Sequence, residues 1–140
     1  MVRGRHFLEV TVAYYGGFGW MAGVVGAGFE CKSRWNYEHE HGWMYMIQEV
    51  EGDDRNPKPL KDPINGDLYH GSLSKWEGQR SATLGDRIGL LLDLDAGSLA
   101  IYKNGERMGL MVPDGIVPPV RWAVILRVHD GASLGRQPAP

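Results

Sequence analysis

Residues 85–109 read GDRIGLLLDLDAGSLAIYKNGERMG and contain three short apolar segments separated by two tight-turn signals. The pair Asn104-Gly105 predicts a two-residue β-hairpin turn, because a type I′ turn needs positive φ at both central residues. The Asp-Ala-Gly triplet at 95–97 fits a three-residue hairpin loop in which glycine takes the left-handed position. Between the turns, side chains alternate with the period of two that is typical of a strand. The stretch therefore predicts a three-stranded antiparallel meander and an all-β fold.

The remaining apolar segments are also strand-like, and none has the length of an ordinary helix. We expect further strands at residues 5–13, 20–27, 42–47, 68–71 and 121–128. The first two flank a loop rich in glycine and aromatic residues, and together they look like a second hairpin. Residues 51–66 contain three prolines, several charges and little apolar content, so this segment is predicted to be a loop. The whole pattern predicts an antiparallel β-sandwich.

Composition places the 140-residue chain among single globular domains, with 43% hydrophobic and 23% charged residues. A formal net charge of −2 without a dense Lys/Arg cluster argues against nucleic acid or an anionic membrane as the partner. The single cysteine, Cys31, excludes an internal disulfide, and no apolar stretch is long enough to span a bilayer. The N-terminus has no signal-peptide pattern, so we expect a cytoplasmic or nuclear protein.

An ordered set of segments resembles the SPRY domain, which is the core of PRY-SPRY modules. The matching segments are GRHFLEV at 4–10, WMAGVV at 20–25, Trp43, LYHG at 68–71, the stretch at 85–109 and closing strands at 121–134. Residues 85–109 match the family signature nearly residue for residue. The resemblance therefore covers almost the whole chain.

The resemblance implies a bent β-sandwich of two antiparallel sheets, related to concanavalin and jelly-roll folds. We expect it to span residues 1–134 and to be followed by a flexible tail at 135–140. It implies a module without catalytic activity or an obligatory metal, which presents loops to a protein or peptide partner. We also expect a monomer without a cofactor or bound metal. Many family members recruit substrates within ubiquitin ligases or act as scaffolds in other regulatory proteins. A finer match joins Tyr69 to the loop tyrosine of SPRY-domain SOCS-box proteins, whose Trp-Gly pair falls at Arg127-Val128 here.

Aromatic side chains on the predicted loops are the main candidates for partner contacts, because large rigid aromatic groups anchor protein interfaces. The alternative is that some of them fold back onto the core. The loops expected to supply contacts are residues 14–19, 35–41, 55–69 and 128–130. The residues predicted to contact a partner are Tyr14, Tyr15, Phe18, Trp35, Tyr37, His39, Tyr69, Arg127 and His129. Trp43 and Trp122 fall in strand patterns and are expected in the core, whereas Trp76 fits either place.

Two other classes of function stay open on the residues alone. A carbohydrate-binding sandwich would stack sugars on exposed aromatic side chains. A metal-dependent enzyme could use His39 and His41, which share one strand face, with Cys31 as a third ligand. Glu38 and Glu40 could serve a glycosidase only with a carboxylate across the scissile bond, and the sequence identifies none.

Overall fold

The computed structural model describes residues 1–14, 17, 19–29, 41–53, 55–126 and 131–135, with the side chains of 14, 53 and 131–135 outside the description. Within these residues the chain forms ten strands, and it contains no helix that could cross a membrane. The strands are β1 (Arg5–Tyr14), β2 (Trp20–Gly26), β3 (Gly42–Asp53), β4 (Asn56–Tyr69), β5 (Leu73–Ser74), β6 (Arg87–Asp93), β7 (Ser98–Lys103), β8 (Glu106–Val112), β9 (Val120–Leu126) and β10 (Gly131–Gly135).

The described strands form two antiparallel sheets. Sheet A has the order β10-β1-β6-β7-β8, and sheet B has the order β5-β4-β3-β2-β9. The predicted meander is confirmed, because β6, β7 and β8 are successive neighbours in sheet A. Asn104 and Gly105 have φ values of 53° and 82°, as a type I′ turn requires. The predicted all-β sandwich is therefore confirmed.

The β1–β2 segment corrects one expectation from the sequence, since these strands do not form a hairpin. β1 pairs with β6 and β10 in sheet A, whereas β2 pairs with β3 and β9 in sheet B. The connection between them therefore joins the two sheets. Each strand turns one face toward a shared core, and period-two alternation is the same whether two strands pair side by side or face each other.

The segment predicted as a loop at 51–66 instead belongs largely to a long hairpin formed by β3 and β4. Glu51 lies opposite Lys58, and Gly52 lies opposite Pro57. Pro57 and Pro59 are two residues apart, so their ring nitrogens face the same side of the strand. That side is the outer edge of β4, where no N–H is needed for pairing with β3. These prolines therefore mark an edge strand.

The main core lies between the sheets, and a second apolar cluster covers the other face of sheet B. Alternate residues of β3 supply the two: Tyr45 and Ile47 pack in the main core, and Met44 and Met46 belong to the second cluster. All four side chains are at most 1% exposed. Sheet B is therefore apolar on both of its faces in this strand.

Three tryptophans lie at the margin of the main core. Trp43 and Trp122 pack against it while partly buried, in agreement with their expected core position. Trp76 does the same, and its indole N–H donates to the carbonyl oxygen of Gly66 at 2.7 Å. That hydrogen bond holds the segment after β5 against β4.

Candidate functional site

The structure describes only part of the predicted partner-binding set. Tyr69 is described with its side chain, and Tyr14 is described as backbone at the end of β1. The other seven lie outside the described residues: Tyr15, Phe18, Trp35, Tyr37, His39, Arg127 and His129. The strand ends on either side of these residues are described, and they define where each connection begins and ends.

Two connections begin and end at the same end of the sandwich, which we call the loop end. Tyr14, the last residue of β1, lies opposite Gly131, the first residue of β10. Trp20, the first residue of β2, lies opposite Leu126, the last residue of β9. The β1–β2 connection begins after Tyr14 and ends before Trp20, and the β9–β10 connection begins after Leu126 and ends before Gly131. The two connections therefore begin and end beside one another.

Gly17 attaches the β1–β2 connection to β3. The pairing of β2 with β3 stops at Trp20 opposite Ile47. Beyond that point the carbonyl oxygen of Gly17 accepts hydrogen bonds from the N–H groups of Glu49 and Val50, at 2.9 and 2.8 Å. Gly17 is buried with a φ of 83°, and a Cβ there would lie 3.3 Å from the Val50 side chain. Glycine permits both the backbone conformation and the close approach.

The hairpin beyond this attachment forms an exposed projection, which we call the arm (residues 48–53 and 55–64). Most of its described side chains are exposed, whereas Val50, Leu60 and Ile64 are half-buried and Gln48 is buried. Glu51 and Lys58 place opposite charges across the two strands. The arm therefore adds a polar surface with a few apolar groups beside the loop end.

The connection that contains Trp35, Tyr37 and His39 starts and finishes at the opposite end of β2. There the N–H of Gly26 donates to the carbonyl oxygen of His41 at 2.7 Å, where β2 ends and β3 begins. The predicted contact residues therefore belong to connections at two ends of the sandwich.

Tyr69 is not an exposed loop residue. It lies at the end of β4 opposite Met44, is 2% exposed and belongs to the second cluster. Such burial leaves almost no surface for a partner, so the expectation of an exposed contact at this position is not met. The exposed neighbour is His70, whose ring stacks on Trp43 with centroids 4.8 Å apart and an interplanar angle of 11°. Its Nδ1–H donates to the carbonyl oxygen of Gly42 at 2.8 Å.

Two carboxylates with displaced pKa values anchor turns in sheet A. The N–H of Ala96 has the largest influence on Asp93 and lowers the pKa of its carboxyl below the ordinary value; Arg5 acts in the same direction, and burial opposes them. Burial alone would raise the pKa of Asp86, but the N–H of Thr83 together with other hydrogen bonds lowers it. Hydrogen bonds to the ionised form explain both directions. Both carboxylates accept hydrogen bonds from turn N–H groups, and they are ionised at neutral pH.

The hypothesis of a metal or glycosidase centre gains no support from the described residues, in which no cluster of three metal-ligating side chains occurs. His41 is exposed, and its Nε2 lies 2.7 Å from where a Cβ on Gly28 would stand. The remaining members of that hypothetical centre lie outside the described residues: Cys31, Glu38, His39 and Glu40.

The arm and the exposed His70 are the features that the sequence analysis missed. A usable signal for the arm existed in the repeat of proline at every second residue, Pro57 and Pro59, since this spacing leaves one strand edge able to pair. No comparable signal distinguishes His70 from Tyr69, because neighbouring residues of an extended segment point to opposite sides and either could be the buried one.

Comparison with known proteins agrees with the fold. The family model of the SPRY domain matches residues 5–131. The SPRY domain of human HERC1 is 19% identical with a TM-score of 0.65, and the match covers 96% of this chain and 73% of that one. The PSpry domain of TRIM65 is 17% identical with a TM-score of 0.65, covering 98% of this chain and 67% of that one. A search of curated proteins finds no match.

These findings differ in what they establish. At identities this low, the two solved structures support the fold alone. The family model extends from β1 to the first residue of β10 and includes both sheets. SPRY domains are generally protein-interaction modules without catalytic activity. The chain belongs to the SPRY domain family.

Proposed function

We propose that this protein is a non-catalytic interaction module that recognises a peptide or loop of a partner protein at the loop end and the arm. The observation that supports this surface is the pairing of Tyr14 with Gly131 and of Trp20 with Leu126. Two connections that differ in sequence thus start from one place on a stable sandwich. Binding residues are commonly carried on such loops, while the scaffold positions them.

The side-chain chemistry of these connections suits a protein partner. Tyr15 and Phe18 are aromatic anchors, and Arg127 and His129 can donate hydrogen bonds to a peptide backbone or carboxylate. Gly17 holds the first connection against the arm through two hydrogen bonds, which lowers the conformational entropy lost on binding. The exposed charges of the arm would set orientation and register at the rim of the contact.

A wider role follows as part of the same proposal. Within a larger regulatory or ubiquitin-ligase protein, a module of this kind would recruit the substrate while other domains act on it. We propose a cytoplasmic or nuclear location and a monomeric state for the module. Its ligand would then be a protein or peptide, and we expect the module to bind neither nucleic acid nor a membrane.

The test removes the two aromatic anchors together by Tyr15→Ala and Phe18→Ala. Proteins captured from cell extract by the unaltered chain should be lost with the double variant, while the thermal midpoint stays nearly unchanged. Val117→Ala is the matched control, because Val117 is 68% exposed and precedes β9 at the opposite end of the sandwich. The control should retain capture in full.

Two outcomes would contradict the proposal. Equal capture by the unaltered chain, the double variant and the control would place the partner contact elsewhere. Strong signals on a glycan array, with no protein captured, would instead favour the carbohydrate-binding alternative. Tyr69→Ala serves as a reference for damage to the core, since it should lower the thermal midpoint markedly.

A further inference from the structure

The outer edge of β9 has little cover among the described residues. β9 is the terminal strand of sheet B, and β2 is its one neighbour in that sheet. On the other side, Met1 pairs with Val120 alone: the Met1 amine donates to the Val120 carbonyl oxygen at 2.7 Å, and the Val120 N–H donates to the Met1 carbonyl oxygen at 3.0 Å. This exchange of two bonds is the pattern of an antiparallel pair.

Two independent hydrogen bonds fix which backbone groups of β9 face outward. Val120 uses its N–H and C=O on Met1, so these groups point away from β2. Gly26, opposite Val120, donates its N–H to His41 of the β2–β3 side, so it also points away from β9. Because antiparallel pairs alternate, residues 121, 123 and 125 bond to β2, and residues 122, 124 and 126 face the open edge.

The side chains along this edge are apolar on both faces. Trp122 and Val124 are half-buried against the main core, and Ala123 and Ile125 are half-buried against the second cluster. Leu126 is 41% exposed. Between Trp122 and Leu126 the strand has neither a charge nor a proline, the two features that usually block edge pairing.

We propose that the outer edge of β9 binds an extended segment of a partner protein by strand addition, antiparallel to β9. The partner backbone would exchange hydrogen bonds with Trp122, Val124 and Leu126, continuing the pairing that Met1 begins at Val120. Its alternate side chains would pack beside Trp122 and Val124 on one face and beside Ala123 and Ile125 on the other. The segment is therefore uncharged, with small or medium apolar residues on both of its faces.

This antiparallel orientation is argued from Met1, which already occupies the edge with both hydrogen bonds in place. In strand addition, main-chain hydrogen bonds supply affinity and alternate side chains supply specificity. The inference goes beyond the proposed function, because it assigns a second binding site. Substitutions that alter the β9 edge differ from those that alter the loop-end connections.

The first part of the test measures amide hydrogen exchange in the free protein. The amides of Trp122, Val124 and Leu126 should exchange at least about a hundredfold faster than those of Ala123 and Ile125. Equal protection of all five would overturn the proposal, because the edge would already be paired. Protection of the outward amides that grows with protein concentration would also overturn it, since a second copy of the chain would then be the occupant.

The second part uses eight-residue peptides in which valine alternates with randomised residues, displayed as a library and then synthesised individually. A selected peptide should slow exchange at residues 122, 124 and 126 on binding. N-methylation of every second peptide residue can be carried out on either of two alternating sets of amides. Methylating the set that bonds to β9 should weaken binding at least about tenfold, and methylating the set that points away should hardly weaken it. The absence of binding, or equal loss with either set, would overturn strand addition. Peptide binding by the Tyr15→Ala/Phe18→Ala variant would stay intact, so this result is separable from the test of the loop end.

Discussion

The two outer edges of sheet B are built in opposite ways. Along β4, Pro57 and Pro59 lack the N–H groups that an added strand would need, and β5 pairs with the last two residues of the strand. Between them, the indole N–H of Trp76 and the amide of Gln79 donate to the carbonyl oxygens of residues 65–66 at 2.7 and 3.1 Å. Prolines, side-chain donors and a short strand thus cover this edge in succession.

At the other edge, β9 has none of these protections in the part of the chain that the structure describes. Its pairing beyond β2 is limited to Val120 with Met1. One sheet therefore has one edge that resists strand addition and one edge that permits it. Because β4 shows that protection is compatible with this fold, the open β9 edge is a property of its particular residues.

The largest expected effect comes from moving a proline by one residue along β9. Ala123→Pro removes an N–H that bonds to β2 and should lower the free energy of unfolding by about 3 kcal/mol. Val124→Pro removes an outward N–H and should cost only about 1 kcal/mol, because the pairing with β2 is retained. Urea denaturation of both variants measures the difference.

Val124→Ala is the control for this pair, since it removes the half-buried side chain without altering the backbone. If the two proline variants lose equal stability after this correction, the outward amide of Val124 has a partner in the free protein. The contrast between the edges would then disappear.

The second effect concerns the cover over β4. Asp67 is 5% exposed, and its carboxylate accepts hydrogen bonds from Lys75 at 2.8 Å and Gln79 at 2.9 Å. Asp67→Ala should lower the free energy of unfolding by about 2 kcal/mol, because two donors lose a buried charged acceptor. Faster amide exchange at Trp76 should accompany the loss, as the segment that covers the strand loosens.

Asp114→Ala is the matched control, since Asp114 is exposed in the connection before β9. It should change stability by less than about 0.5 kcal/mol. A similarly small change for Asp67→Ala would show that the cover over β4 is held by packing, without a material contribution from this carboxylate.

The smallest effect on stability is expected from the prolines of the arm. Pro57→Ala and Pro59→Ala should each lower the free energy of unfolding by about 0.5 kcal/mol, through greater freedom of the unfolded chain. Together they restore two outward N–H groups and should raise self-association, measured by sedimentation at increasing concentration. Pro113→Ala, outside the strands, should leave the sedimentation unchanged; equal association of all variants would mean that the prolines do not protect the edge.

Features that depend on residues close together in the sequence could be predicted, whereas features that depend on residues far apart in the sequence could not. The β6–β7–β8 meander was predictable because its turns are local, and the Asn104-Gly105 backbone confirms the reasoning. The arm was misread since proline removes a donor in both a loop and an edge strand, and only the position of β4 in the sheet distinguishes them. Burial of Tyr69 beside exposed His70 depended on which face of β4 meets the second cluster.

The sequence by itself determined the all-β class, the meander and the family, because period-two patterning and turn residues act over a few positions. The tertiary structure decided which strands share a sheet, that Tyr69 is buried, and that the connections after Tyr14 and Leu126 meet at one end. It also decided which edges of sheet B are covered. These properties arise from contacts between residues far apart in the chain, and no local pattern specifies how two apolar strand faces are paired.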